Sequence, residues 1–577
     1  MRSSPPRPPR TGHPPSHPDG RRPGPGQPAR RRNLGRLGRH GGGDRVRGAD
    51  PPRRSRRRHP ARVAHSAPAR RERPRRPWQP RPAPGAVARQ DALRPHRDDP
   101  GRDPCRPRTA DPARPRTAHG RSGLVTADHR LAPIAPGRRP LIGHALPLLR
   151  DRLGLLQQLR AHGPIVRIML GPKSVTVVNS PELIHQMLTA QSGHFTKGLL
   201  FEKLRLFGKD ALPVAEGPGH LARRRMMQPA FHRERVTGYV RTMRDTTAFA
   251  IGAWSEGGEL DLKTEMQLMA QNIVMRAAFS AAPAPHTARA ILTSVDTLFK
   301  AALRRALVPL PLLDRLPTRH NRRLARAGST LHHAVAGIIT DHLTRPDDYD
   351  DVVSMLLDAR DETGAPLPDD EILSEVTGLL AAGSETTAVV MAWLFHEIGR
   401  QSDLEARLHT EVDTVLAGQE LTADHLPRLT FTRALVQETL RLYSPGWLVT
   451  RQATAAVRLG DFTLPAGTDV VWSPYTLHRD PGLYPDPLRF DPDRWLPDRP
   501  QPPKNAFIPF GAGKRQCLGD AFAWTEMTII TALIASRWRL RPAPGIRPVP
   551  VGAITVHPSV LRMRTEARQS GTAREAA

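Results

Sequence analysis

The chain has 577 residues, enough for several average domains, and a formal net charge of +32, which would indicate a polyanion binder if spread over a folded surface. It is not spread evenly: residues 1 to 123 hold 33 arginines, no lysine and nine acidic residues, a net of +24, which leaves +8 for the other 454. Two cysteines, Cys105 and Cys517, exclude a disulfide framework and suit a reducing cytoplasm, and there is neither a signal peptide nor an uninterrupted apolar run of membrane-spanning length.

Residues 1 to 123 are Arg, Pro, Gly, Ala and His with one aromatic residue, Trp78, too little apolar surface to offset the entropy of ordering, so disorder is expected. Three readings apply: an Arg-rich nucleic-acid tail, a passive linker, or upstream sequence translated from a start codon placed too early. Arginine without lysine beside so much proline has the character of GC-rich coding bias, which favours the third, with Val125 as first residue. The folded body is then residues 124 to 577, with nucleic acid not expected as its partner.

From there periodic structure begins. "PIVRIMLGPKSVTVVNS" carries two β-branched runs around a Gly-Pro-Lys turn, as in a hairpin, and "SPELIHQMLT" has helical spacing. From Arg233 to Ala417 nearly everything is predicted helical, broken at "LVPLPLLDRLP" and "DETGAPLPDD". After Tyr443, "WLVTRQATAAVRLGDFTLPAGTDVVWSP" returns to strand patterning, and "VPVGAITVHPSVLRMRTE" predicts a closing strand pair. The fold class is mainly α with small β-sheets.

A lone cysteine in a folded body is usually inert core. Cys517, however, stands in "FIPFGAGKRQCLGDAFAWTEM", where Phe510, Gly513, Arg515, Cys517 and Gly519 complete F-x-x-G-x-R-x-C-x-G before an apolar helix. Glycines let backbone approach a flat macrocycle and free amide N–H groups to bond a sulfur. Upstream, Glu438 and Arg441 form E-x-x-R on one helix face, "FDPDRW" supplies Arg494, and "GLLAAGSETTAVVMAWL" sets Ala382, Gly383, Glu385, Thr386 and Thr387 within a long apolar helix. Thr386 can bond back to a carbonyl one turn earlier, and beside Gly383 this would loosen the helix into a notch. Each of the last motifs alone would be ordinary surface pairing or helix contact.

In this order the motifs resemble those of the cytochrome P-450 family across residues 124 to 577. The resemblance implies a haem b lying between the long oxygen-binding helix and the cysteine loop, with Cys517 as axial thiolate and Arg515 at a propionate, favouring the thiolate form. It implies that Glu385 and Thr386 handle dioxygen and protons, and that Glu438, Arg441 and Arg494 form a buried supporting network. His220 and Arg224 in "GPGHLARRRMMQPAFH", and Arg451 in "WLVTRQA", fall where the family places propionate partners. With no dinucleotide fingerprint or flavin region, electrons would come from NAD(P)H through a separate ferredoxin and ferredoxin reductase, docking near Lys514.

Segments expected over the haem are apolar: "FTKGLLFEKLRLFGKDALPV", "SPGWLVT" around Trp447, and "VGAIT". They imply a hydrophobic substrate held by shape. "VRIMLGPKSV", "RRRMMQPAF" and "FDPDRWLP" resemble actinobacterial members that oxidise sesquiterpenes, so a monooxygenase of secondary metabolism acting on a terpenoid in the cytoplasm is expected, by hydroxylation or epoxidation. A peroxide-using or isomerising haem-thiolate enzyme is the same-scaffold alternative, and nucleic-acid binding through the leader the alternative of another class.

Overall fold

The computed structural model describes residues 130–307, 316–361 and 363–568. The Arg-rich leader with Cys105, Trp78 and Val125, and most of the "LVPLPLLDRLP" joint, lie outside the described residues.

Near the start, β1 (Ile165–Leu170) and β2 (Lys173–Val178) pair antiparallel from Ile165 opposite Val178 to Leu170 opposite Lys173, as the turn chemistry predicts. Helix α1 (Pro181–Leu188) follows, with Pro181 in its first turn and the Ser180 hydroxyl accepting from the Leu183 N–H at 3.3 Å. The short β3 (Phe195–Thr196) leads into α2 (Gly217–Met227) and α3 (Arg233–Gly252). After β4 (Glu259–Asp261) come α4 (Leu262–Phe279), α5 (Pro285–Leu307), α6 (Arg319–Thr344), α7 (Asp369–Ile398), α8 (Ser402–Leu416) and α9 (Thr430–Leu442).

Helix α7 is apolar on nearly all sides and opens on Asp369, Asp370 and Glu371, which suit a helix N-terminus. Among the described residues it is the one helix long and apolar enough to cross a membrane, and 78% of its apolar window is buried inside the fold. It is therefore the central post, packed on α4, α6 and α9. The sequence between α9 and the cysteine loop forms β5 (Val449–Ala453), β6 (Val457–Leu459), β7 (Phe462–Leu464) and β8 (Asp469–Trp472). One sheet has the order β1-β2-β8-β5-β3, with β2 and β8 parallel. This sheet places Arg451 beside the start of α2.

The last elements are α10 (Asp520–Arg537), β9 (Trp538–Pro542), β10 (Pro550–Gly552), β11 (Val556–Pro558) and β12 (Arg562–Ala567). Here the expected closing pair is two structures. β10 and β11 form a hairpin, whereas β12 joins β4 and β9 in a separate sheet. The "VHPSV" stretch carries two breaks that local alternation does not separate: Pro558 ends the hairpin and Ser559 caps it back to Val549.

Candidate haem-thiolate site

The cysteine loop is a series of tight backbone turns. Gly511 N–H bonds the Ile508 carbonyl at 3.0 Å, Gln516 N–H that of Gly513 at 3.0 Å, and Cys517 N–H that of Phe510 at 2.9 Å. Gly513 is required twice over: its φ of +69° is left-handed, and a Cβ there would collide with the Leu188 carbonyl of α1. Gly519 has no such constraint, since a Cβ would meet only Phe231 at 3.9 Å; its contribution is the amide N–H directed at the Cys517 sulfur. The thiol sits deep among protein atoms yet keeps free surface, as a side chain bordering an internal cleft does. Burial pushes it up to about 11, opposed by the Gly519 N–H and by Arg224.

Arg224 is placed to oppose that burial, since its Nη1 donates to the Gln516 carbonyl at 2.6 Å, next to the cysteine.

Arg515 belongs to a buried basic cluster. Its Nη2 donates to Glu216 Oε2 at 2.8 Å, while its Nη1 is buried with no protein partner. Glu216 also receives the Lys197 backbone N–H, and Lys197 Nζ donates to the carbonyls of Leu212 (2.7 Å) and Pro213 (2.9 Å). The chain can bring Lys197 there because Gly198, at φ +80°, passes against the Arg451 backbone where a Cβ would meet it at 2.9 Å. Arg451 donates to the carbonyl of its own neighbour Thr450 at 2.8 Å, and burial followed by Arg515 pushes it down to about 10. Burial likewise takes Lys197 down to about 7 and, aided by Lys197, Arg515 and Arg224, His220 down to about 4. Burial and the neighbouring cations thus favour the neutral ring of His220, which suits a hydrogen-bonding group. Arg451 and Arg515 share the Glu216 carboxylate, and Lys197, on which Glu216 and Glu375 both act, lies beside them; a protein interior does not keep such a basic surplus without an anion to meet it.

On α7 most side chains are buried, but Ala382 and Thr386, one turn apart in the middle of the helix, are exposed. Thr386 Oγ1 donates to the Ala382 carbonyl at 2.9 Å, as expected. The helix nevertheless runs unbroken, and Gly383 serves packing: a Cβ would meet Val274 of α4 at 2.9 Å. Glu385 turns toward α4 and the hairpin, accepting from Gln267 Nε2 and from Thr555 Oγ1 at 3.1 Å. Burial raises its carboxyl, with Lys263 the largest opposing influence. Thr387 donates to Glu526 Oε2 on α10 at 2.8 Å; burial pushes Glu526 up to about 8.

Beneath lies the E-x-x-R pair, fully buried. Glu438 accepts Arg441 Nε and Nη2, each at 2.8 Å, Arg494 Nε at 3.2 Å, and two groups the sequence did not single out, Trp495 Nε1 at 2.9 Å and the Asp491 N–H at 2.8 Å. Arg441 Nη1 reaches the His478 carbonyl at 2.7 Å, and His478 Nε2 accepts the Ile508 N–H at 3.1 Å, just before the cysteine loop. Burial pushes His478 down to about 3, so with Nε2 an acceptor its proton sits on Nδ1, facing Ser444 Oγ at 2.7 Å.

A family model described as cytochrome P-450 matches residues 133–559, about three quarters of the chain. The chain belongs to the cytochrome P-450 family. It is similar to the cyclooctat-9-en-7-ol 5-monooxygenase of Streptomyces melanosporofaciens, 41% identical over 413 residues, 71% of this chain and 90% of that protein. It is also similar to the pentalenene oxygenase of Streptomyces avermitilis, 38% identical over 76% of this chain and 98% of that one. A retinoic-acid-bound cyanobacterial P-450 structure superposes with a TM-score of 0.68 at 26% identity, over 76% of this chain and all of its own.

As a P-450 the protein is a haem-dependent oxidoreductase, and its residues fit that group. The surplus buried cations and the unpartnered Arg515 Nη1 suit two propionates, and the thiol on the cleft suits an iron ligand. Sequence reasoning missed Lys197, Glu216, Gln267, Glu526 and Thr555. Only Glu216 carried a signal, one acid just before the predicted His220 helix. Trp447 of the apolar "SPGWLVT" segment is buried and donates to the Ala553 carbonyl at 2.8 Å, which ties it to the hairpin.

Proposed function

We propose that this P-450 takes electrons from NAD(P)H through a separate ferredoxin and ferredoxin reductase and inserts one oxygen atom into a C–H or C=C bond of a terpenoid, a sesquiterpene being the first candidate. The observation that carries the chemistry is Cys517, presented to the cleft beside a buried cation cluster. The terpenoid rests on the relatives' names and on the apolar segments around the site. The comparisons offer no support for nucleic-acid binding, and the matched region lies downstream of residues 1 to 123, which we assign as a dispensable leader.

Haem bound through Cys517 would supply dioxygen binding and reductive cleavage. Arg451, Arg515 and Lys197 would pair with its propionates, with His220 adding a hydrogen bond and Arg224 holding the Gln516 carbonyl. Phe510 and Gly513 shape the loop, and the Gly519 N–H moderates the charge on sulfur. Burial alone favours the neutral thiol, so a metal cation is what would hold the thiolate. Thr386 has its proton tied to Ala382 and offers Oγ1 lone pairs to the cleft, while Glu385, whose carboxyl burial raises, stands behind it as the candidate proton source. This acid and hydroxyl pair favours dioxygen activation over a peroxide-using or isomerising route. Exposed Lys514 beside the cysteine suits an acidic electron donor.

The test is the carbon-monoxide difference spectrum of the reduced protein against Cys517→Ser. We expect the red-shifted thiolate band in the wild type and its loss in the variant; a wild type lacking the band overturns the assignment. Pentalenene, added to the oxidised protein, is expected to shift the haem spin state, and no shift across a sesquiterpene panel overturns the substrate class.

A further inference from the structure

The β10–β11 hairpin tip is fixed more firmly than a loop over a cleft needs to be. Trp447 Nε1 donates to the Ala553 carbonyl at 2.8 Å and Trp393 Nε1, from α7, to the Val556 carbonyl at 2.8 Å. Where the strand enters the turn, Arg152 Nη1 donates to the Gly552 carbonyl at 2.8 Å, and a Cβ on Gly552 would press on Leu153 at 3.1 Å. Thr555 stands between the two indole bonds, buried, with its hydroxyl on Glu385 Oε1 at 3.1 Å. The hairpin thus grips α7 twice, at Glu385 and two turns later at Trp393.

The two partners of Glu385 differ in kind. Gln267 Nε2 only donates and needs a lone pair on Oε2, so it suits a proton leaving that oxygen or residing on Oε1; the Thr555 hydroxyl donates or accepts, and can stay bonded to Oε1 whether or not that oxygen carries the proton. We propose that Thr555 is a positioning residue for Glu385, holding its carboxyl in one place through loss and regain of the proton and tying that carboxyl to the hairpin wall of the cleft. This rests on the reading that Glu385 supplies protons. The charged groups acting on it are Lys263 on α4 and Asp296 on α5, the latter paired with Lys300 at 2.7 Å; His557 on β11 acts on neither oxygen, and burial and Lys263 hold it toward the neutral form. The consequence is that substrate pressed against the hairpin and the proton source behind Thr386 are mechanically one unit.

The experiment is infrared titration of the carbon-monoxide-bound holoprotein, with the Glu385 carboxyl band assigned by its loss in Glu385→Gln. Thr555→Val, which keeps the shape and removes the hydroxyl, is expected to shift that band to higher frequency and raise its titration midpoint by about one pH unit, a tenfold gain in proton affinity, because the hydroxyl bond favours the ionised form. Thr555→Ser is expected to restore both. An unmoved band and midpoint in Thr555→Val overturns the positioning role. Should that variant fail to accumulate, Thr555→Ala is read the same way. The underlying reading is tested apart, by hydrogen peroxide released per NADPH with a ferredoxin and its reductase: Glu385→Gln is expected to raise it several-fold, and an unchanged yield removes Glu385 as proton source whatever Thr555 does.

Discussion

Replacing Glu438 by Ala tests whether the cysteine loop is held from beneath by one carboxylate. The change removes the acceptor of five donors at 2.8 to 3.2 Å: two from Arg441 and one each from Asp491, Arg494 and Trp495. Arg441 keeps three carbonyls, those of His478, Pro487 and Arg489, but its fully buried charge loses its counterion. Stranding one member of a buried pair costs about 3–5 kcal/mol, and the five bonds are not additive with that figure. Against a total stability of about 5–15 kcal/mol this removes a large share. The assay is urea unfolding of the holoprotein followed by both tryptophan fluorescence and the haem band, with Arg407→Ala as control. That residue pairs with Asp493, both side chains being more than a third exposed, so its loss should cost below about 1 kcal/mol. A Glu438→Ala protein within 1 kcal/mol of wild type would refute the reasoning, as would equal losses in the two variants.

Two further predictions follow from single residues. Glu526, raised to about 8 by burial, keeps its proton in the folded state where the unfolded chain ionises near 4.5, so the stability it contributes is full below about 4.5 and lost as pH rises through about 8. Glu526→Gln should flatten the stability profile over that window and be more stable than wild type at pH 9; an identical slope in both sinks the argument. Gly513→Ala combines a left-handed φ of +69° with a backbone collision and is expected to cost more than ~1 kcal/mol and to lower haem retention on gel filtration, while Gly511→Ala, with open space around it, should cost only the left-handed penalty of ~1 kcal/mol. Equal effects at the two glycines would show that the Leu188 contact does not matter.

Much of the site was legible because its chemistry is carried by residues close in sequence. The ten residues from Phe510 to Gly519 contain the proposed ligand, the turn glycine and the amide that meets the sulfur, and Glu438 with Arg441 share a helix face by spacing alone. The β-branched runs of β1 and β2 were legible for the same reason: the Gly-Pro-Lys turn between them joins the two strands into an antiparallel pair, and β2 is buried on both faces at Val175 to Val178.

What only the tertiary structure decided is which distant groups meet. Lys197 and Glu216 flank the cysteine loop from the far end of the chain, and nothing local marks a lysine in "HFTKG" as buried. Thr555 reaches Glu385 across 170 positions, and Glu526 reaches Thr387 across 139. Gly383 proved a packing residue rather than a break, and Trp447 gained a bond to the hairpin, because both roles are set by the neighbouring element, Val274 in one case and the Ala553 carbonyl in the other. Local propensity and periodicity report what a segment offers to its surroundings; the identity of those surroundings is a property of the packed chain. Cys517 could be recognised from its own loop, whereas the partners that hold its neighbours in place could not.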